Sequence, residues 1–220
     1  DNLWFLRFIT SVDELTKLSR LRIATLLKVP GVGRKYAGDI SAWQSHASFS
    51  HEVEWVGEMI IEDARRILAL KNDIKALELR CKTLMQESQA ARLIDSIPGF
   101  GVICTSELTG EIGTIDRFAS ERSLALYLGM ANLDNSSGKF RGSKAPKHVN
   151  KRAKSAMMAA VDKHRKCVPE SQRYYEKKRI EGKSHNQAIR ALGRQLCRII
   201  FRMLKQNCVY EMRTKINENT

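Results

Sequence analysis

A Ser-Ser-Gly at positions 136–138 is followed at once by Lys139, Arg141, Lys144 and Lys147. A hydroxyl beside a residue with no side chain, in a polar loop with four cations after it, suits attack on a phosphate. Glycine lets another backbone come close, and the cations balance charge on the phosphoryl oxygens. The same stretch suits an ordinary turn, because Asn132, Asp134, Asn135 and Gly138 are turn formers. A serine hydroxyl is a weak nucleophile until a base or a fixed geometry activates it. The nearest candidate base in sequence is His148, which also suits the start of a helix.

Charge gathers around this loop. Residues 133–205 carry 20 Lys or Arg against 5 Asp or Glu, whereas residues 1–132 carry 16 against 17, so the formal +14 arises in the last third. A pI near 9.8 built from clustered cations points to a polyanion partner, foremost nucleic acid. Near the end, Arg190, Arg194, Arg198 and Arg202 recur every four residues and form a helical ridge. No acid stands between Arg190 and Lys205, which favours phosphate contact over a merely solvated face. No run approaches the ~18 apolar residues of a membrane span. The apolar patch at residues 4–9 lacks the basic leader and cleavage site of a signal peptide. Cys81, Cys104, Cys167, Cys197 and Cys208 form no CxxC, and His46, His51, His148, His164 and His185 lack metal spacing. Reduced thiols in a cytosolic protein are expected, with no metal in this chain.

The elements that must position the loop are helical, so the expected class is mainly α. Apolar spacing predicts a helix over 12–27 with Ser11 as its cap, then a Pro-Gly-Val-Gly turn and a second helix over 34–43. This resembles a helix-hairpin-helix, whose glycines and free amides suit a phosphate; a plain tight turn is the other reading. Residues 97–101, Ile-Pro-Gly-Phe-Gly, repeat it, which makes Gly99 and Gly101 candidates for backbone contact with DNA. Between the copies runs a heptad, with Val53, Ile60, Ile67, Ile74 and Cys81 at a and Val56, Asp63, Leu70, Leu77 and Leu84 at d. Ile at a with Leu at d favours a two-stranded coiled coil; packing inside the chain is the alternative. Further helices are expected over 120–129, 149–167, 170–181 and 185–207, with a short strand or hairpin arm at 139–142. The expected domains are 1–50, two helices with a hairpin turn; 51–90, the coiled coil; 91–208, a helical domain bearing the serine loop; and 209–220, a tail.

The ordered series IPGFG, Arg117-Phe118, YLGM, SSG, RGS, Pro169 with Tyr174-Tyr175, Gly182-Lys183 and AIRALGRQL resembles the C-terminal domain of the insertion-sequence one-ten and eleven-eleven transposases, relatives of the pilin-gene invertase. The resemblance covers residues 93–207, and the coiled coil before it looks like that family's. It implies a DNA recombinase in which a serine joins covalently to DNA. A RuvC-like domain, expected before residue 1, would bind Mg²⁺ through acidic residues, so this chain alone is expected to be inactive. The family serine stands eight residues beyond a glycine and before another. From Gly129 that gives Ser137, with Ser136 beside it. Met130, Ala131 and Asn132 stand where the family has Leu-x-Pro. The resemblance further implies tetramers with dimeric coiled coils, a bridge RNA in some members, and work at the bacterial nucleoid. A helical DNA- or RNA-binding module without chemistry, or an inactive remnant, remains the competing reading.

Overall fold

The computed structural model describes residues 3–134, 138, 142–144 and 146–212. It is mainly α, and its residues pack as two units, 1–77 and 78–220. The first holds α1 (Leu3–Ile9), a 3-10 turn (Leu15–Arg20), α2 (Ile23–Leu26), α3 (Arg34–Gln44) and most of α4 (Val53–Glu87). The second holds the end of α4, α5 (Gln89–Asp95), α6 (Val102–Ile112), a 3-10 turn (Ile115–Arg117) and α7 (Glu121–Tyr127). It continues with β1 (Leu133–Asp134), β2 (Ser143–Lys144), α8 (Lys151–Cys167), α9 (Pro169–Ile180) and α10 (His185–Gln206).

The helix expected over 12–27 is not continuous. Leu21 and Arg22 are extended between the 3-10 turn and α2, and the Ser11 hydroxyl donates to Phe8 O at 2.6 Å, closing α1 instead of opening a new helix. The break serves the core, since Leu18 and Leu26 both enter the cluster that holds Phe8, Val29, Val32, Ile40 and Ile61. In this cluster packing outweighs helix propensity, a weak prior. The long helix forms as expected and has two apolar faces. Ile61 and Ala64 are buried in the first unit's core. The heptad seam lies about 100° round the helix from them, and Ile60, Ile67, Leu70, Ile74, Leu77 and Leu84 remain exposed, the last at 63%.

Both Pro-Gly-x-Gly turns follow one plan. The first glycine has positive φ, +95° at Gly31 and +88° at Gly99, and the second, Gly33 or Gly101, is the N-cap of the next helix. The second unit's core joins α5, α6, α7, α8 and α10 through Ile94, Leu108, Leu124, Met157, Ile189, Leu196 and Ile200. Capping boxes at Ser120 and Ser184 start α7 and α10. Asn207 closes α10 in the left-handed conformation. Cys197, enclosed in this core, has its thiol pushed up to about 12 by burial, so it packs as a small apolar residue.

Candidate nucleic-acid interface

The segment between α7 and α8 holds the candidate serine. Ser136, Ser137, Lys139 and Arg141 lie outside the described residues; the two ends of the segment lie within them. The first end leaves α7 through Gly129 at φ +66°. A Cβ there would lie 2.7 Å from Lys154 Cδ and 2.9 Å from Val149 Cγ1, so the absent side chain lets α8 press against the end of α7. Met130 follows and is buried against α10 at Gly193, where a Cβ would lie 2.5 Å from its sulfur. Leu133 then pairs with Lys144, and Asp134 with Ser143, in an antiparallel step that draws the two arms together.

The second end is fixed by Asn150, the N-cap of α8. Its backbone N–H donates to Tyr127 O at 3.0 Å, and its side-chain oxygen accepts from Ala153 N. The Asn150 amide also donates to Tyr127 Oη at 2.7 Å and to the Glu111 carboxylate. Tyr127 Oη in turn donates to Glu111 O at 3.0 Å. Arg152 neutralises Glu107 at 2.7 Å and reaches Glu111 at 3.3 Å, which raises its own pKa. The two feet of the segment are therefore joined by hydrogen bonds that leave neither Asn150 nor Tyr127 free to rotate. Of the flanking residues, Lys144, Lys147 and His148 are exposed, as is Gly138 at φ +51°. His148 has no partner among the described residues that would make it a base.

The two glycines expected to meet DNA differ. Gly99 packs directly on α8, where a Cβ would come within 2.5 Å of His164 N and 2.7 Å of His164 Cα. Gly101 faces open space. Under Gly99 the turn is tied down: His164 Nδ1–H donates to Pro98 O at 2.7 Å, and the Ser171 hydroxyl donates to His164 Nε2 at 3.0 Å. The backbone carbonyl fixes that tautomer. Burial holds the His164 pKa below 6.5, so the ring is neutral in the fold.

The arginine ridge is uneven. Arg190 and Arg194 flank Gly193 and are half-buried; Arg198 and Arg202 are exposed. The expectation that no acid answers the ridge needs correction at Arg198, which meets Glu121 of α7 at 3.2 Å. Lys205 likewise meets Asp116 at 2.7 Å. Distance along the chain hid both acids: they lie 77 and 89 residues away. Arg190, Arg194 and Arg202 pair with no carboxylate among the described residues. Arg198 and Arg202 line a cleft of about 1200 Å³ with Tyr174, Phe201, Glu170 and Glu211, a wall of mixed sign.

Sequence reasoning did not single out Asn150, Tyr127, Glu111, Lys154 or His164 as residues of this region. The asparagine before Lys151 was a legible cap signal; the other contacts join distant segments and leave no local mark. Among the described residues no three His, Cys, Asp or Glu side chains converge, and Glu107 and Glu111 are committed to Arg152 and Asn150. These donors do not fit Mg²⁺. No helix among the described residues is long and apolar enough to cross a membrane.

Comparison with known proteins gives the region a context. Residues 91–176 match the transposase IS116/IS110/IS902 family, a span that runs from within α5 into α9 and takes in the whole serine segment. The chain is similar to an insertion element IS900 uncharacterized 42 kDa protein of Mycobacterium paratuberculosis, 33% identical over 92% of this chain and 52% of that protein. It is also similar to an insertion element IS110 uncharacterized 43.6 kDa protein of Streptomyces coelicolor, 28% identical over 96% of this chain and 53% of that one. An insertion element IS116 uncharacterized 44.8 kDa protein of Streptomyces clavuligerus is 25% identical over 81% of this chain and 47% of its own length. The chain thus spans about half the length of the curated relatives it matches.

Proposed function

We propose that this chain, whose residues 91–176 belong to the transposase IS116/IS110/IS902 family, is the part of a DNA transposase that carries the attacking hydroxyl, and that Ser137 is that hydroxyl. The observation that carries the proposal is the pinned segment. A serine segment would be a poor platform for chemistry if its two ends moved. Here Gly129, Met130 and Asn150 fix both ends on rigid helices, as phosphoryl transfer by alignment requires. In the proposed step, the Ser137 oxygen bonds to phosphorus and loses its proton. The bond from phosphorus to a deoxyribose oxygen breaks, and that oxygen takes up a proton. Acids for a metal ion are assigned to the further length that the relatives possess, in a RuvC-like fold.

DNA is the proposed partner. Arg190, Arg194, Arg202, Lys144 and Lys147 are among the described cations that pair with no described carboxylate and can meet phosphates, with Lys139 and Arg141 beside the serine; Gly101 offers a backbone approach, and Gly99 a packing contact. The exposed α4 seam suits a dimer through paired helices, two of which would make a tetramer. A bridge RNA fits the same cationic surface. The test is a protein of the relatives' full length that contains this chain. Ser137→Ala should abolish the covalent protein–DNA adduct on a denaturing gel and leave binding nearly intact, because a hydroxyl contributes little beside Lys and Arg. If Ser136→Ala abolishes the adduct instead, the nucleophile is one residue earlier. An unchanged adduct in both variants would refute the serine chemistry and favour a binding module.

A further inference from the structure

We propose that Ser171 and His164 form a second reactive centre, in which His164 takes the proton of the Ser171 hydroxyl as that oxygen attacks a small carboxylic ester. The centre does not rest on Ser137. Its members come from three elements: Pro98 from the turn before α6, His164 from the last turns of α8 and Ser171 from the first turn of α9. The Pro98 carbonyl accepts from His164 Nδ1–H at 2.7 Å, which leaves the Nε2 lone pair to the Ser171 hydroxyl at 3.0 Å. A hydroxyl, a base and a group that orients the base, joined in that order, are the parts of an activated nucleophile. Phe100 and Tyr210 stand edge-on to the imidazole, their ring centroids 6.3 Å and 5.8 Å from its own. Burial keeps that ring neutral, the form that accepts a proton.

Access separates this pair from a histidine merely satisfied inside a core. Ser171 keeps 9% of its surface, and both residues line the cleft of about 1200 Å³. Tyr174, Leu196, Phe201 and Met203 give the cleft an apolar wall for the body of an ester. Val168 caps α9 with no side-chain hydrogen bond. The amides of that first turn therefore have no acceptor from the cap and suit the charge that grows on a carbonyl oxygen. In the proposed step, Ser171 Oγ bonds to the carbonyl carbon and its proton passes to His164 Nε2. The bond from that carbon to the alkoxy oxygen then breaks, and the leaving oxygen takes the proton from His164. Water attacks the acyl-serine by the same route, which releases the acid and restores the hydroxyl.

The first probe is an alkyl fluorophosphonate on the wild-type chain, with modified serines located by mass spectrometry. Ser171 Oγ bonds to phosphorus, fluoride leaves, and the product persists where an acyl-serine would turn over. Ser155, exposed and earlier on α8, is the internal reference. Ser171 should react on the order of 100-fold faster, the gain a positioned base gives. Equal rates overturn the proposal and need no variant to fold. His164→Gln, its fold checked by circular dichroism, should bring Ser171 down to the rate of Ser155; a folded variant that reacts at the wild-type rate overturns the base. Ser171→Ala should lower the release of p-nitrophenol from p-nitrophenyl acetate, and unchanged release overturns the ester as substrate. Ser137→Ala should label at Ser171 as the wild type does, so the outcome for the serine segment does not decide this one.

Discussion

Replacing Gly99 by Ala should unfold the second unit more readily, and replacing Gly101 by Ala should not. At Gly99 two costs add. Its φ of +88° is a region where an L side chain costs roughly 1–2 kcal/mol. Its new Cβ would lie 2.5 Å from His164 N, 2.7 Å from His164 Cα and 2.8 Å from Lys163 C. These are helix backbone atoms that cannot rotate away, so an overpacking cost of about 1–3 kcal/mol follows. Relief would move the Pro98 carbonyl away from His164 Nδ1 and lose a hydrogen bond worth about 1 kcal/mol. The total of about 3–6 kcal/mol corresponds to a fall in unfolding temperature of roughly 6–24 °C for a chain of this size. At Gly101 φ is −86° and nothing lies within 4 Å of a built Cβ. Alanine is only a somewhat poorer N-cap than glycine there, so a change within about 1 kcal/mol is expected. The assay is thermal unfolding by circular dichroism beside a DNA titration at fixed salt. A Gly99→Ala protein that unfolds at the wild-type temperature yet binds DNA weakly would refute the packing argument and make the turn's first glycine a phosphate contact.

Changing Ile67 and Ile74 together to Asp should reduce the mass seen by light scattering and leave the monomer's unfolding temperature nearly unchanged, since both side chains are exposed within one chain. An unchanged mass would mean that the seam is not where copies meet. Arg194→Ala with Arg202→Ala should lower the salt slope of DNA binding by roughly two. Arg198→Ala should lower it by less, because Glu121 already neutralises that arginine; an equal fall at Arg198 would contradict the ion pair's importance. His164 is held neutral by burial, with its folded pKa below the ordinary 6.5. The unfolded chain then binds more protons as pH falls, so stability is full above about 6.5 and declines below it. His164→Gln should flatten that decline in denaturant titrations across pH; an unchanged pH profile would place the proton uptake elsewhere.

The helices whose boundaries depend on local chemistry were legible. Ser120 and Ser184 cap as their hydroxyls suggest, Gly129 and Gly182 end helices with positive φ, and the heptad becomes a 35-residue helix. Failure came where core geometry overruled periodicity. Leu15, Leu18, Leu21 and Leu26 have helical spacing, but reaching one small core requires the chain to be extended at Leu21 and Arg22. A second failure has the same root. The apolar pattern of α4 reads as one seam, yet Ile61 and Ala64 use another face for the chain's own core. Periodicity reports that a residue wants to leave water and says nothing of which surface will receive it.

The site divided along similar lines. Residue type and spacing singled out the Ser-Gly loop and the cations around it, because a hydroxyl, a glycine and a run of Lys and Arg are local. What holds the two ends of the segment is not local. Glu111, Tyr127 and Asn150 stand 16 and 23 residues apart in sequence and meet in one hydrogen-bonded knot. Each is an unremarkable residue in its own helix: a surface acid, an amphipathic aromatic, a cap. The same distance explains the ridge. With acids counted only between Arg190 and Lys205, all four arginines looked unanswered, yet Glu121 enters from α7 because α7 and α10 bury Leu124 and Leu196 in one core. The packing of apolar faces therefore decides which charges remain for a nucleic acid. A change that shifts α7 against α10, such as Gly193→Ala against Met130, should alter phosphate binding without touching a single cation.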